Sequence, residues 1–217
     1  MFKTYLKSIT FLFLLLAMQR FLFLSLSYDL WKSASVSDIL FCLMAGARFD
    51  LMVTGYALIP ALILLLPPLE KILAKISLFR PIYKLLIEIL VLYLVIIEFF
   101  DLEWVHIYGD RFNSAHTANE FVERVPIDGF LLFNLILSLA IFIFCVFSIL
   151  RWRIHKPTSD RMRVWLAMLI LAAIMIRGSF GEYHLDLRHS KVTGNEFLNN
   201  AAISSAYALD QAIKSRR

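Results

Sequence analysis

The chain has little of what most catalytic and secreted folds are built from. Of its 217 residues only 2 are cysteine and 7 glycine, and 18% are charged. Cys42 and Cys145 both fall in apolar stretches without CxxC spacing. Neither a disulfide framework nor a zinc site is indicated, and both read as small packing residues. No nucleophile elbow, phosphate-binding loop, dinucleotide fingerprint or zinc motif occurs anywhere, so catalytic residues: none are visible in the chain itself. His106, His116, His184 and His189 lack the spacing of metal ligands, and no metal site is expected. The ten-residue alternating segments of a membrane barrel are also missing.

What is present is hydrocarbon. The chain is 60% hydrophobic with a mean hydropathy of +0.72 and contains 19 phenylalanines. Apolar runs cover roughly residues 9–27, 38–67, 83–101, 129–150 and 164–177. Each reaches or approaches the ~20 residues that cross ~30 Å of hydrocarbon as a helix, and in lipid such spans must be helical to satisfy their own amides. The expected fold is all-α: an integral membrane bundle of five transmembrane helices with short interfacial helices. The first run follows Lys3 and Lys7 like a signal peptide, but it is too long, contains Arg20 and lacks a convincing cleavage site, so it reads as a retained anchor.

The net charge of +5 does not point to nucleic acid, because the basic residues flank the apolar runs. With a cytoplasmic N-terminus, the inner segments hold Lys3, Lys7, Lys71, Lys75, Arg80, Lys84, Arg151, Arg153, Lys156, Arg161 and Arg163. The outer loops, 28–37 and 102–128, hold only Lys32, Arg111 and Arg124, beside Glu103, Asp110, Glu120, Glu123 and Asp128. That asymmetry sets the orientation. Residues 1–177 then form the transmembrane domain, and five crossings deliver 178–217 to the extracytoplasmic side.

The second run exceeds the hydrocarbon thickness, so an interfacial lead-in over Ser37–Ala45 is expected, then a span from Ala47 to Leu66 kinked at Pro60 and closed by Pro67 and Pro68. A surface helix is expected over Ser114–Arg124. In the tail, Thr193 and Glu196 have capping-box spacing, and Leu198, Ala202, Ala206, Leu209 and Ile213 form one apolar stripe that needs a partner surface.

Ionisable groups at membrane depth cost about 2.5–3.5 kcal/mol each on insertion scales and require an explanation. Arg48, Asp50, Glu98, Asp101, Glu103 and Arg177 all map near the outer boundary. One reading makes them interhelical ion pairs and snorkelling side chains. The other makes Arg48 and Arg177 guanidinium forks for a phosphate, with carboxylates orienting them. On that second reading the candidate lipid-headgroup set is Arg48, Asp50, Glu98, Asp101, Arg111 and Arg177. Arg20, about twelve residues into the first span, pairs with Glu98 or Asp50 or else contacts substrate. Tyr28, Trp31, Trp104, Tyr108, Trp152 and Trp165 sit at span ends and read as belt anchors.

Three patterns carry a resemblance: GARFDL at 46–51, DLEWVHIYGDRFN at the exit of the third span, and RGSFGEYHLDLRHSKVTGNEFLNNAAISSAYAL at 177–209. With the five-helix topology, they resemble the N-terminal membrane domain of the lipoteichoic acid synthase and phosphoglycerol transferase family, a sulfatase-like branch of the alkaline phosphatase superfamily. The resemblance implies a membrane half that anchors and presents an extracytoplasmic catalytic domain, in cis or in trans, at a bacterial cytoplasmic membrane. It further implies a phospholipid partner, transfer of a phosphoglycerol or phosphoethanolamine headgroup, and a nucleophile and divalent metal that belong to that other domain and are absent here. No cofactor is implied for this chain, and 178–217 is then a linker leading toward the catalytic part. The competing classes are a non-catalytic membrane scaffold and, with no inverted repeat to support it, a transporter subunit.

Overall fold

The computed structural model describes residues 2–75, 77–108, 128–152, 161–178 and 190–214. Among them the chain is all-helical, without strands: α1 (Phe2–Leu26), α2 (Val36–Ala57), α3 (Ile59–Leu64), α4 (Pro67–Lys75), α5 (Phe79–Tyr108), α6 (Gly129–Leu150), α7 (Arg161–Arg177), α8 (Glu196–Ala201) and α9 (Ser205–Lys214). Two of these, α1 and α6, are long and apolar enough to cross a membrane by length and composition.

The long helices form an antiparallel bundle whose ends are pinned by polar contacts. At the first end, Lys84 Nζ donates to the Leu150 carbonyl at 2.6 Å, Lys7 lies over the Trp152 ring at 4.9 Å, and Trp165 Nε1 donates to the Leu62 carbonyl at 3.0 Å. At the second end, His106 meets Asp128 at 3.3 Å and Arg48 Nε donates to the Gly178 carbonyl at 3.3 Å.

Helical periodicity decides which faces are buried. On α1 the buried side chains recur at Tyr5, Ile9, Leu12, Leu16, Gln19 and Phe23, and on α5 at Tyr83, Ile87, Val91, Leu94, Glu98 and Asp101, steps of three and four that keep one face inward. These faces build an apolar core from Leu12, Leu65, Ile87, Ile149 and Met168. A second cluster gathers Phe23, Cys42, Leu102, Leu198 and Ala202 nearer the second end. α6 differs, with only Asn134, Cys145 and Ile149 buried. α2 and α7 approach closely at Gly55, where a Cβ would lie 3.1 Å from the Ile176 backbone nitrogen.

Local signals explain the boundaries. Ser35 accepts from the Asp38 amide while the Asp38 carboxylate accepts from Ser35 N, a capping box that starts α2. α2 therefore runs unbroken through 37–45, and the separate lead-in expected over Ser37–Ala45 is the first half of this helix, with Cys42 and Ala45 buried in it. The kink expected at Pro60 is a break at Leu58 with Pro60 in the first turn of α3. Pro67 opens α4, where its missing amide costs nothing. Gly178 ends α7 at φ 65, a left-handed conformation that glycine adopts without penalty.

Two further expectations are corrected. The tail is not one striped helix capped at Thr193. Asn195 is the cap of α8, accepting from Leu198 N, while the Thr193 hydroxyl is taken up by Asn195 and Asn199. Trp104 and Trp152 are buried rather than standing in a belt, Trp152 against Phe11 and Lys7 and Trp104 against Tyr108. The surface helix expected over Ser114–Arg124 lies outside the described residues.

Candidate functional site

Between the two apolar clusters lies a buried polar layer, and Arg20 is its centre. Its guanidinium forms a two-pronged pair with Asp50, Nη2 to Oδ1 at 2.6 Å and Nε to Oδ2 at 3.2 Å. Nη2 also donates to the Gly46 carbonyl at 3.1 Å, and Nη1 donates to the carbonyl of Ala201. Arg20 and Asp50 are 4% and 2% exposed, so solvent screens the pair hardly at all. Of the two partners open to Arg20 in the sequence, Asp50 is the one it takes. Geometry explains why: Gly46 and Asp50 are four residues apart on α2 and share a face. A side chain at 46 would fill the space the guanidinium uses, with a Cβ 2.5 Å from Arg20 Cζ.

The Ala201 carbonyl comes from the tail, so Arg20 ties α1, α2 and the end of α8 together. On α5, the buried Glu98 accepts from the Ser205 hydroxyl at the start of α9. Gln19 Nε2 donates to the Leu94 carbonyl at 3.3 Å. Aromatic contacts complete the attachment: Phe197 stacks on Phe23 at 5.6 Å, and Tyr207 packs on Phe49 at 5.3 Å. Leu198 and Ala202 of the expected tail stripe are fully buried against the bundle, with Ala201 beside them, while Ile213 at the far end of the stripe is exposed.

The candidate headgroup residues thus separate into two groups. Asp50 and Glu98 are bound into the layer that holds the tail, and Asp101 is buried beside them on α5. Arg48 and Arg177 are exposed at the second end, both next to Gly178, and these two stay accessible. Arg111 lies outside the described residues. Gly46, Ala201 and Ser205 complete the layer and were not singled out from the sequence. The spacing of Gly46 four residues before Asp50 was the available signal.

Farther along the second end, Asn134 Nδ2 donates to the Phe99 carbonyl at 3.1 Å and to Glu103 Oε1 at 2.7 Å, the polar seam between α5 and α6. Asp128 caps α6. The Leu131 amide that it accepts holds its carboxyl below the usual carboxylate range, and His106 adds to the effect. Among the described residues no group of three or more His, Cys, Asp or Glu side chains is arranged to hold a metal ion.

Beside the tail lies a cavity of about 530 Å³ between α2, α5, α7 and α9. Met52, Leu90, Leu94 and Ile176 form its apolar wall, and Asp210, Lys214 and tyrosines lie along its rim. Comparison of the chain with protein-family models, curated proteins and solved structures gave no match.

Proposed function

We propose that this chain is the multi-pass membrane domain of a sulfatase-like phosphoglycerol or phosphoethanolamine transferase in a bacterial cytoplasmic membrane. In this reading it crosses five times, with its N-terminus inside and 178–217 outside. The observation that carries the membrane assignment is α6. Its apolar window has a mean hydropathy of 2.8, yet only 11% of it is buried. Leu132, Phe133, Leu135, Ile136, Leu139, Phe144 and Phe147 all stand exposed around it. A core helix of a soluble protein would bury such side chains, each of which gains roughly 1.5–3 kcal/mol on leaving water. Hydrocarbon removes the penalty. The packing of α2, α5 and α7 alongside α1 and α6 supports counting all five as crossings, and the distribution of the basic flanks supports the orientation.

The transferase assignment draws on the three sequence patterns, and on Arg48 and Arg177 standing accessible where outer-leaflet phosphates would lie. The chain anchors the extracytoplasmic catalytic domain, in cis or in trans, and grips the phospholipid whose headgroup is transferred. That domain, not this one, supplies nucleophile and metal.

Reporter fusions at Lys3 and Arg217 should report opposite compartments, and a shared compartment would refute the topology. Native mass spectrometry of the purified chain should show a retained anionic phospholipid that is lost on Arg48→Ala. A second reading, a membrane scaffold without a lipid substrate, is favoured by the commitment of Asp50 and Glu98 to internal contacts. Under it, Arg48→Ala alters folding or complex formation and leaves lipid retention unchanged.

A further inference from the structure

From the contacts of Arg20 we infer that the tail, α8 and α9, occupies a binding groove for an anionic phospholipid, and that lipid and tail compete for it. The inference deepens the headgroup reading and rests on it. Three separate observations lead there.

The first is the chemistry of the Ala201 contact. Arg20 is a forked cation whose inner edge is fixed by Asp50, leaving Nη1 directed at a tail carbonyl oxygen. A phosphate oxygen satisfies the same donor with a charge-assisted bond, while the carboxyl groups of Asp50, Glu98 and Asp101 in the same layer oppose its charge, so the headgroup displaces the carbonyl only where its acyl chain also gains the apolar wall beside the tail. The tail holds the position of a headgroup without its charge.

The second is the place α9 takes. It starts at Glu98 and lies against α5 and α2 as far as Leu90, Tyr93 and Tyr56, with Lys214 at its far end. Tyr93 is nine residues from Lys84 at the first end, roughly 13 Å along the helix and well within the hydrocarbon of the proposed orientation. There the Asp210–Lys214 ion pair, 2.5 Å long, remains largely exposed. Charges at that depth are costly, whereas an amphipathic helix of this kind is stable lying in the headgroup plane. α9 is therefore an element with an alternative place to go.

The third is packing. The approximately 530 Å³ cavity beside α9 shows that the tail fills the groove incompletely, and its wall of Met52, Leu90, Leu94 and Ile176 suits an acyl chain. The volume lies in the range of small-molecule sites. Leu94 of this wall also takes the Gln19 amide with its carbonyl, next to Arg20 on α1, so with α8 and α9 both lifted the hydrocarbon and phosphate sites would lie side by side in one groove.

The test reads tail release directly. In a Cys42→Ala/Cys145→Ala background, a single cysteine replaces Ala202, which is fully buried. The full chain is reconstituted in phosphatidylcholine vesicles with or without phosphatidylglycerol, and maleimide labelling is followed. A ligand moves such an equilibrium only by its preference for one state, so a tenfold preference for the released tail raises the labelling rate about tenfold. That rise is expected with phosphatidylglycerol, and Arg20→Met should make labelling independent of the lipid. Soluble glycerol phosphate, which lacks an acyl chain, should leave labelling unchanged, and an equal rise with it would overturn the assignment of a lipid. Equal protection in both vesicle types would overturn the competition. In that case Arg48-dependent retention of phosphatidylglycerol would leave the headgroup reading standing alone, and its absence would remove both.

Discussion

Replacing Gly46 by alanine separates two opposite expectations. In the interior of a helix, glycine to alanine normally stabilises by roughly 0.5–1 kcal/mol, because alanine loses less backbone freedom on folding. Here the added Cβ would stand 2.5 Å from Arg20 Cζ and Nε and 2.7 Å from Nη1. The end of an arginine can usually swing aside, but this one is held by Asp50, Gly46 and Ala201, so moving it away from residue 46 breaks or stretches these bonds. Breaking a buried ion pair costs about 3–5 kcal/mol, since one charge is left without compensation. The net effect of Gly46→Ala should be a loss of about 2–4 kcal/mol. Reversible unfolding in mixed micelles would measure it. The decisive comparison is a double-mutant cycle with Arg20→Met, which removes the guanidinium: in that background Gly46→Ala should become neutral or favourable. In the wild type the substitution strains the Arg20–Asp50 pair, whereas in the Arg20→Met background Asp50 lacks the guanidinium before and after, so the coupling reports the steric contact together with the loss it imposes on the pair. Additive losses would show that the cost arises elsewhere and that Arg20 does not need the glycine.

Arg20→Met and Asp50→Asn should each destabilise by about 3–5 kcal/mol in the same unfolding assay, while Arg20→Met/Asp50→Met should recover much of the loss, because a well-packed apolar pair replaces the ionic one. Asn134→Leu removes two bonds between α6 and α5 and leaves the Phe99 carbonyl and Glu103 without that donor; a loss of about 1–2 kcal/mol is expected, with faster amide exchange in α6. The lowered carboxyl of Asp128 makes its contribution to the α6 cap present above the unfolded-state carboxylate range and lost as pH falls through the folded value. Amide exchange in the first turn of α6, corrected for its intrinsic pH dependence, should rise over that acid window in the wild type but not in Asp128→Asn.

The sequence disclosed the helices because a long apolar run has one structural outcome. The expected run 129–150 and the observed Gly129–Leu150 coincide, and Pro60 marked the break between α2 and α3. Boundaries drifted where capping chemistry lay outside the run. The pair Ser35–Asp38 carried α2 back to Val36, and α5 extended to Tyr108 through charged residues whose partners are tertiary. Hydropathy cannot see either effect.

The candidate site was legible as residue types but not as partnerships. Arg20, Asp50 and Glu98 were conspicuous because charge at that depth needs a reason, yet the reason involves a backbone carbonyl at Ala201 and a hydroxyl at Ser205, about 180 and 107 residues distant in the chain. A carbonyl has no sequence signature. The tail could be read as amphipathic, and its need for a surface followed, but which surface depended on Gly46 making room for a guanidinium.

That dependence also orders the functional alternatives. Arg48 and Arg177 are exposed residues beside Gly178, and the bond from Arg48 to the Gly178 carbonyl is a surface contact, so substitution of Arg48 tests lipid binding with less structural loss than substitution in the buried layer. Arg20 does both jobs in the proposed cycle: it holds the tail when the groove is empty and a phosphate when it is filled. A residue with two mutually exclusive partners must be measured in both states. Substitution of Arg20 should therefore lower the stability of the lipid-free protein by about 3–5 kcal/mol and abolish the response of Ala202 to phosphatidylglycerol, whereas Arg48→Ala should cost no more than the single exposed bond to Gly178, about 0.5–1.5 kcal/mol, and reduce lipid retention. If the two substitutions behaved alike in both measurements, the division between a structural layer and an accessible phosphate site would fail.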